Sequence, residues 1–298
     1  MFESNSLKGK LLSGLFIGGG FLTAPAFASD CIPTQLPSFK APTAVTIPAG
    51  IFIQGSNQAE REYAYKIDEQ AYGHSTTRNG QWYSGEFKRQ ENRTPSYRIM
   101  KTPVTNQQYQ QFLKETCHPS PKVSAVEWAS YGLNHSYAST QKYVWNDTTF
   151  PAGRAAHPVV LISHDDAKDY AAWISKKTGK KWRLPIEAEW EKAIRGSKGN
   201  IFPWGNQFDA KRLNSHDNGA FATTEVGKLK SGAGEYGVLD GAGQVFEWTA
   251  TPAQSNRWIV KGGSWDDKGC GVCRPAARHS RPESIKHILI GFRLLQVL

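Results

Sequence analysis

Apolar residues in this chain come in short runs whose spacing changes from segment to segment, and each run predicts one small element. Thr46 to Ser56 alternates weakly between apolar and polar positions and is bounded by glycines, the pattern of a strand with turns. Tyr97 to Val104 predicts a second strand. At Thr105 the period lengthens: Tyr109, Phe112 and Leu113 share one helical face, and Thr105 stands where an N-cap is needed. His157 to Ile162 is a continuous apolar run and predicts a buried strand. Ser163 or Asp165 then caps a helix with Ala167, Tyr170, Ala171 and Ile174 on its inner face, closed by Gly179. Trp182 to Pro185 is a short extended link, and 186–195 a third helix that packs through Ala188, Trp190 and Ile194.

Two long stretches hold no period. Residues 58–92 are dense in charge and aromatic side chains and predict surface loop with strand fragments, and 119–150 predict irregular chain. Beyond Gly196 glycine is frequent, so loop and short strand are expected, ending in apolar runs at 258–260 and 288–290. Helices in the first half and irregular β-structure in the second predict an α+β class. The βαβ alternation of a doubly wound nucleotide-binding sheet is absent. No repeat or low-complexity linker divides 29–298, so one continuous domain is expected.

The first residues stand apart from that domain. Lys8 and Lys10 precede an apolar run from Leu11 to Leu22, and Ala26-Phe27-Ala28 forms an A-x-A cleavage site. The run is too short, and too broken by Gly18-Gly19-Gly20, to span a bilayer. Residues 1–28 therefore read as a secretory signal peptide that sends the rest out as an exported protein.

Charge and cysteine content narrow the partners. The net charge is +10 and the chain carries ten Trp. Its basic residues are spread along the chain and no nucleic-acid motif is present, so a small acidic or aromatic ligand is expected before nucleic acid. No other stretch is apolar enough for stable membrane insertion. All four cysteines lie in the exported part, where disulfides persist.

Several segments, in order, resemble one family. They are Ile47-Pro-Ala-Gly50 with Gly55-Ser56, Lys101-Thr-Pro-Val-Thr-Asn106 with Tyr109 and Phe112, His157-Pro-Val159 with Ala167, Tyr170 and Trp173, and Arg183-Leu-Pro-Ile-Glu-Ala-Glu-Trp190. Phe202-Pro-Trp-Gly205, Tyr236-Gly-Val-Leu-Asp240, Gly243-Gln-Val-Phe-Glu-Trp248, Gly262-Gly-Ser264 and Gly291-Phe-Arg293 complete the series. Over nearly all of 29–298 the chain is thereby similar to the formylglycine-generating enzyme (sulfatase-modifying factor) family. The resemblance implies an elaborated C-type-lectin-like α+β fold with little regular structure for its size. The superfamily includes copper-dependent formylglycine generators, iron-dependent sulfoxide synthases, a pyoverdine-maturation branch and lectin-like binders. Fold alone does not choose among them.

The choice rests on the site. The resemblance implies a structural calcium held by the side chains of Asp240 and Glu247 and the carbonyls of Gly243 and Val245, oxygen donors that suit a hard cation. The competing reading is an ordinary turn with an ion-paired Glu247. A looser second set is Asn214, the Ser215 carbonyl, Asn218 and the Ala220 carbonyl, where neutral amides bind calcium weakly. Formylglycine generators hold copper(I) between two cysteines, a soft ion between soft ligands. Asp267 stands where the first of these falls, and Cys270 near the second, so a family-type copper site is not expected. Cys270 and Cys273 read as a structural disulfide, a redox or substrate-facing pair, or metal ligands. Cys31 and Cys117 are then the other pair.

Around them lies a polar cluster. Ser264, Asp267, Cys270, Cys273 and His279 are candidates for moving protons or electrons. Trp265, Arg274 and Arg278 are candidates for holding substrate, the arginines by bidentate contact with an acidic group. Arg278 and Arg293 also stand in framework motifs, which makes structural ion pairing the competing role. Trp82, Trp128, Trp145 and Trp204 are available to line an aromatic cleft or to fill a core. The iron-dependent synthases carry their ligands in an extra helical domain without counterpart here, and the redox cofactor stays unidentified. The segment from Asp266 to His279 most resembles the pyoverdine-maturation branch, which acts in the periplasm. The expectation is a periplasmic oxidoreductase-like protein of siderophore maturation, oxidising a dihydropyoverdine-type precursor. The alternative from another class is a non-catalytic lectin-like binder. Formylglycine generation conflicts with the missing cysteine.

Overall fold

The structure is a computed structural model and describes residues 39–298. The expected signal peptide, its cleavage site and Cys31 lie outside the described residues.

Glycine, proline and capping side chains set the element boundaries. β1 (Ala44–Ile47) and β2 (Gly50–Gln54) are parted by Pro48, and Gly50 takes a φ of 138° that turns the chain into another sheet. The single strand expected over 46–56 is therefore two. α1 (Gln58–Tyr72) opens with a capping box between Asn57 and Glu60 and stops at the left-handed Gly73. Together with the short α2 (Thr76–Asn79) it replaces the surface loop expected over 58–92. The buried face of α1 explains the difference: Ala64 and Ile67 share it with Asp68, so a carboxylate interrupts the apolar period without interrupting the packing.

β3 (Gln90–Thr94) and β4 (Tyr97–Met100) follow. α3 (Asn106–Thr116) begins at Thr105 as its spacing predicts, with Gln108 completing a capping box, and ends at Cys117. Cys117 is not a free thiol; the bridge expected to Cys31 reaches outside the described residues. A short α4 (Ala125–Ser130) lies in the otherwise irregular 119–150. The run at 157–162 is buried as expected but is not a strand: Pro158 makes one bridge to Thr105, and Leu161 turns the chain with φ 60°. Ser163 caps α5 (His164–Thr178), Gly179 ends it, and β5 (Trp182–Arg183) leads to α6 (Glu187–Arg195). After a long loop come β6 (Phe246–Gln254), β7 (Arg257–Lys261), β8 (His279–Pro282), β9 (Ile290–Gly291) and β10 (Leu295–Val297).

The strands form sheets of order β1-β4-β10-β5 and β8-β7-β6-β9, with β2-β3 as a separate pair. Among the strands of the described residues, only β6 and β9 run parallel. The expected α+β class is what the chain adopts. α3 and α5 pack through an aromatic cluster in which Tyr170 stacks on Tyr109 at 5.6 Å and meets Phe292 edge-on at 5.4 Å.

One buried ion pair ties the two larger sheets. Glu247 of β6 accepts two hydrogen bonds of 2.6 Å from Arg293 and a third of 2.8 Å from the Trp190 indole of α6. Arg293 also donates to the carbonyls of Met100, Lys101 and Leu239. Neither charged side chain is more than 1% exposed. Every donor and acceptor is matched, which offsets desolvation, whereas removing one partner strands the other charge. Arg293→Ala is therefore expected to lower unfolding free energy by about 3–5 kcal/mol in urea titrations; a loss under about 1 kcal/mol, the range of an exposed pair, would contradict this.

Candidate functional site

The sequence candidates converge on the turn after β7. Gly262 and Gly263 both have positive φ, and a Cβ on Gly263 would collide with the Cys273 sulfur. Ser264 is thereby drawn into the interior. Its backbone N–H and its hydroxyl both donate to Asp267 Oδ2 at 2.7 Å. Burial raises the Asp267 carboxyl to about 6 despite those two bonds, with the neighbouring Asp266 and Asp68 charges adding to the rise. Asp68 of α1 accepts from the Gly271 N–H at 2.8 Å and takes the Tyr83 hydroxyl on its other oxygen. Burial raises its pKa too. Two interior carboxyls with elevated proton affinity thus flank this loop. Asp68 escaped sequence reasoning, and its only signal was an acid set on the apolar stripe of a helix.

Cys270 and Cys273 form a disulfide and are completely buried. Of the readings left open, the closed bridge is the one observed, so neither sulfur is a thiolate for metal or substrate. Arg274 and Arg278 correct the expectation that they hold substrate. Arg274 is 1% exposed and grips both oxygens of Glu86, at 2.5 and 3.2 Å. Arg278 spends its Nε on Glu187, at 2.8 Å, and lies over the Phe87 ring. Glu187 in turn binds the buried Lys261 at 3.0 Å. Arg274 is buried in its pair, while Arg278, 24% exposed, braces the turn through Glu187 and the Gly85 carbonyl.

His279, on β8, lies edge-on to Trp82 and Phe246, and burial with the Arg281 and Lys261 charges pushes it down to about 3. It stays neutral near pH 7 and is a poor base. Arg281, whose pKa burial lowers, feels the Asp267 charge. Trp82 is 45% exposed, while Trp128 and Trp145 are core residues. On the other side of Trp265, Asp266 accepts from His135 at 3.1 Å, a contact that holds the carboxyl below its usual range. His287 stacks on Trp128 and accepts the Leu289 N–H at 3.0 Å. Two pockets lie away from this turn: one of about 740 Å³ between α3 and α5, lined by Phe112, His118 and Trp173, and a polar one of about 360 Å³ beside Asn57, Tyr63 and Arg89.

The two calcium sets fare differently from their sequence order. Glu247 commits both oxygens to Arg293 and Trp190, and Asp240 accepts from the Gly227 N–H at 2.6 Å. A guanidinium already neutralises Glu247, so this first set does not fit a calcium ion well. In the second set, Asn214 gives its amide N–H groups to Ala222 and Gln244, leaving its Oδ1 buried without a partner among the described residues. Asn218 likewise spends its amide nitrogen on the Ala210 and Leu213 carbonyls. An orphaned oxygen beside further amide and carbonyl oxygens is the donor chemistry of a hard cation. This loop is tied to the turn, since His216 N–H donates to the Asp267 carbonyl at 3.1 Å and Asp217 accepts from Gly269. Among the described residues no group of three or more His, Cys, Asp or Glu is placed to hold a metal.

The fold is that of the structure of PvdO from Pseudomonas aeruginosa, with a TM-score of 0.64 at 23% identity, covering 87% of this chain and 95% of that one. The sulfatase-modifying factor enzyme 1-like domain matches residues 31–298, and the chain belongs to that family. The mouse (Mus musculus) protein called inactive C-alpha-formylglycine-generating enzyme 2 is 27% identical over 283 residues, covering 84% of this chain and 82% of that protein. Hercynine oxygenase of Mycolicibacterium smegmatis is 25% identical over 85% of this chain, which spans 61% of that protein. The family and fold expected from the ordered motifs are thus correct.

The raised Asp267 carboxyl has a consequence for stability. Folding costs nothing extra while the group is protonated in both states, below its ordinary value of 3.8; the penalty grows as the pH rises from there and is fully present above about 6. Asp267→Asn is expected to gain stability relative to the parent as pH rises from 4 to 7, read from paired urea titrations. A difference independent of pH would contradict the shift.

Proposed function

We propose that this protein is a periplasmic oxidoreductase of siderophore maturation that dehydrogenates an electron-rich, dihydropyoverdine-type precursor. The carrying observation is Asp267, an interior carboxylate that accepts both the N–H and the hydroxyl of Ser264, stands by the family resemblance where copper-binding members place a thiolate, and is pushed up to about 6 by burial. Such a group is ionised at neutral pH yet basic enough to accept a proton from a reacting C–H or N–H. Dehydrogenation removes two protons and two electrons. Asp267 accepts one proton and passes it on, the electron pair goes to dioxygen from solution, and hydrogen peroxide carries both hydrogens away. The fold likeness to PvdO, the family membership and the signal-peptide pattern support the reading.

The test uses purified mature protein and dihydropyoverdine in air, following chromophore absorbance and peroxide. Turnover is expected, and Asp267→Asn is expected to slow it by about 10²–10⁴-fold while leaving circular dichroism unchanged. Turnover that survives the substitution removes Asp267 from the chemistry. Binding without turnover favours a non-catalytic ligand-binding module, a reading that the closed Cys270–Cys273 bridge and the neutral His279 support. An aldehyde formed on a cysteine-containing sulfatase peptide would replace both readings.

The same reading includes a structural calcium on Asn214, the Ser215 carbonyl, Asn218 and the Ala220 carbonyl, holding the loop that braces Asp267. Chelation is expected to lower the melting temperature, calcium to restore it, and Asn214→Ala to abolish the response. A melting temperature indifferent to chelator would remove calcium from the account.

A further inference from the structure

Trp265 carries an unexplained cost. Its side chain is only 5% exposed, yet its indole N–H has no hydrogen-bond partner among the described residues. Buried donors are nearly always satisfied, so an orphan of this kind asks for an acceptor. The ring stacks on Tyr143, with centroids 6.4 Å apart and planes 23° from parallel. Around this stack sit two cations. The Lys142 ammonium is 5.2 Å from the centre of the Trp265 ring and 5.3 Å from that of Tyr143. The Arg154 guanidinium is 4.8 Å from the Tyr143 ring.

Neither cation forms an ion pair among the described residues. Lys142 donates to the Phe221 carbonyl at 3.2 Å and Arg154 to the Thr223 hydroxyl at 2.9 Å. The acid beside them, Asp266, is already engaged by His135. Repulsion from Arg154 adds to burial in lowering the Lys142 pKa. Two unpaired positive charges and an orphaned N–H around one aromatic stack make a site short of a negatively charged acceptor.

We propose that Lys142, Arg154 and the Trp265 indole N–H form an oxyanion subsite that takes the carboxylate of an aromatic ligand, with the Trp265–Tyr143 stack and the cations supplying the remaining contact. Trp265 lies between Ser264 and Asp266 in the candidate turn, two residues before Asp267. The inference rests on the reading of this turn as a ligand site and names the ligand class: an aromatic acid rather than a neutral or cationic aromatic.

Isothermal titration of the mature protein with salicylate and with salicylamide tests it, because the two probes share a ring and differ in charge. Salicylate is expected to bind tighter than salicylamide by about tenfold or more at moderate salt. Lys142→Gln and Arg154→Gln, both at accessible positions, are expected to erase that preference and leave salicylamide unaffected. Trp265→Phe, which keeps a ring and deletes the N–H, is expected to weaken salicylate alone. Equal binding of the two probes, no binding of either, or a preference that survives the Lys142→Gln/Arg154→Gln double variant overturns the subsite. Turnover of the siderophore precursor is a separate readout: turnover without anion preference removes only the subsite, and anion preference without turnover removes only the oxidoreductase reading.

Discussion

The Glu247–Arg293 ion pair is the constraint on which the rest of the structure depends. It lies where β6, α6 and the link between β9 and β10 meet, and it is closed off from water. In a fold with so many loops, backbone hydrogen bonds alone do not fix how the sheets sit against each other. Arg293 does so by binding the carbonyls of Met100 and Lys101, at the end of β4, and of Leu239, in the loop before β6, besides its carboxylate partner. A guanidinium is suited to this task because it presents several donors in a rigid plane and keeps its charge when buried.

A second layer of charge carries that rigidity to the site. Glu247 is paired across the strand ladder with Lys261, which binds Glu187, which binds Arg278. Arg274 and Glu86 do the same on the far side of the disulfide. The turn from Gly262 to Cys273 is thereby held between two buried ion-pair systems. Its Asp267 is forced into surroundings it would not choose in water, and the raised proton affinity of that carboxyl follows. The closed Cys270–Cys273 bridge removes thiol chemistry from the same loop, and burial keeps the nearby His279 neutral.

Much of this was legible in the sequence, and the misses have physical causes. Thr105, Ser163 and Gly179 announced helix boundaries because caps are local chemistry. The ordered motifs gave the family because each sits at a sharp turn or a buried contact. α1 was missed because Asp68 occupies a position on its apolar face, and a period read from hydrophobicity cannot anticipate a buried acid paired with Tyr83 and Gly271. Arg274 and Arg278 looked like ligand-holding residues because their neighbours in sequence are polar. Their true partners, Glu86 and Glu187, are 188 and 91 residues away. The surroundings of the two candidate calcium sets were hidden for the same reason: Glu247 has its partner in Arg293, 46 residues away, while the Asn214 Oδ1 has none among the described residues.

The account turns on whether Asp267 holds a proton far more tightly than an ordinary aspartate. Carbon NMR of side-chain carboxyls, titrated in the parent and in Asp267→Asn to assign the resonance, measures this directly. The account predicts a midpoint near the value of about 6 set by burial. A midpoint at or below 3.8, the value of an unperturbed group, would contradict it.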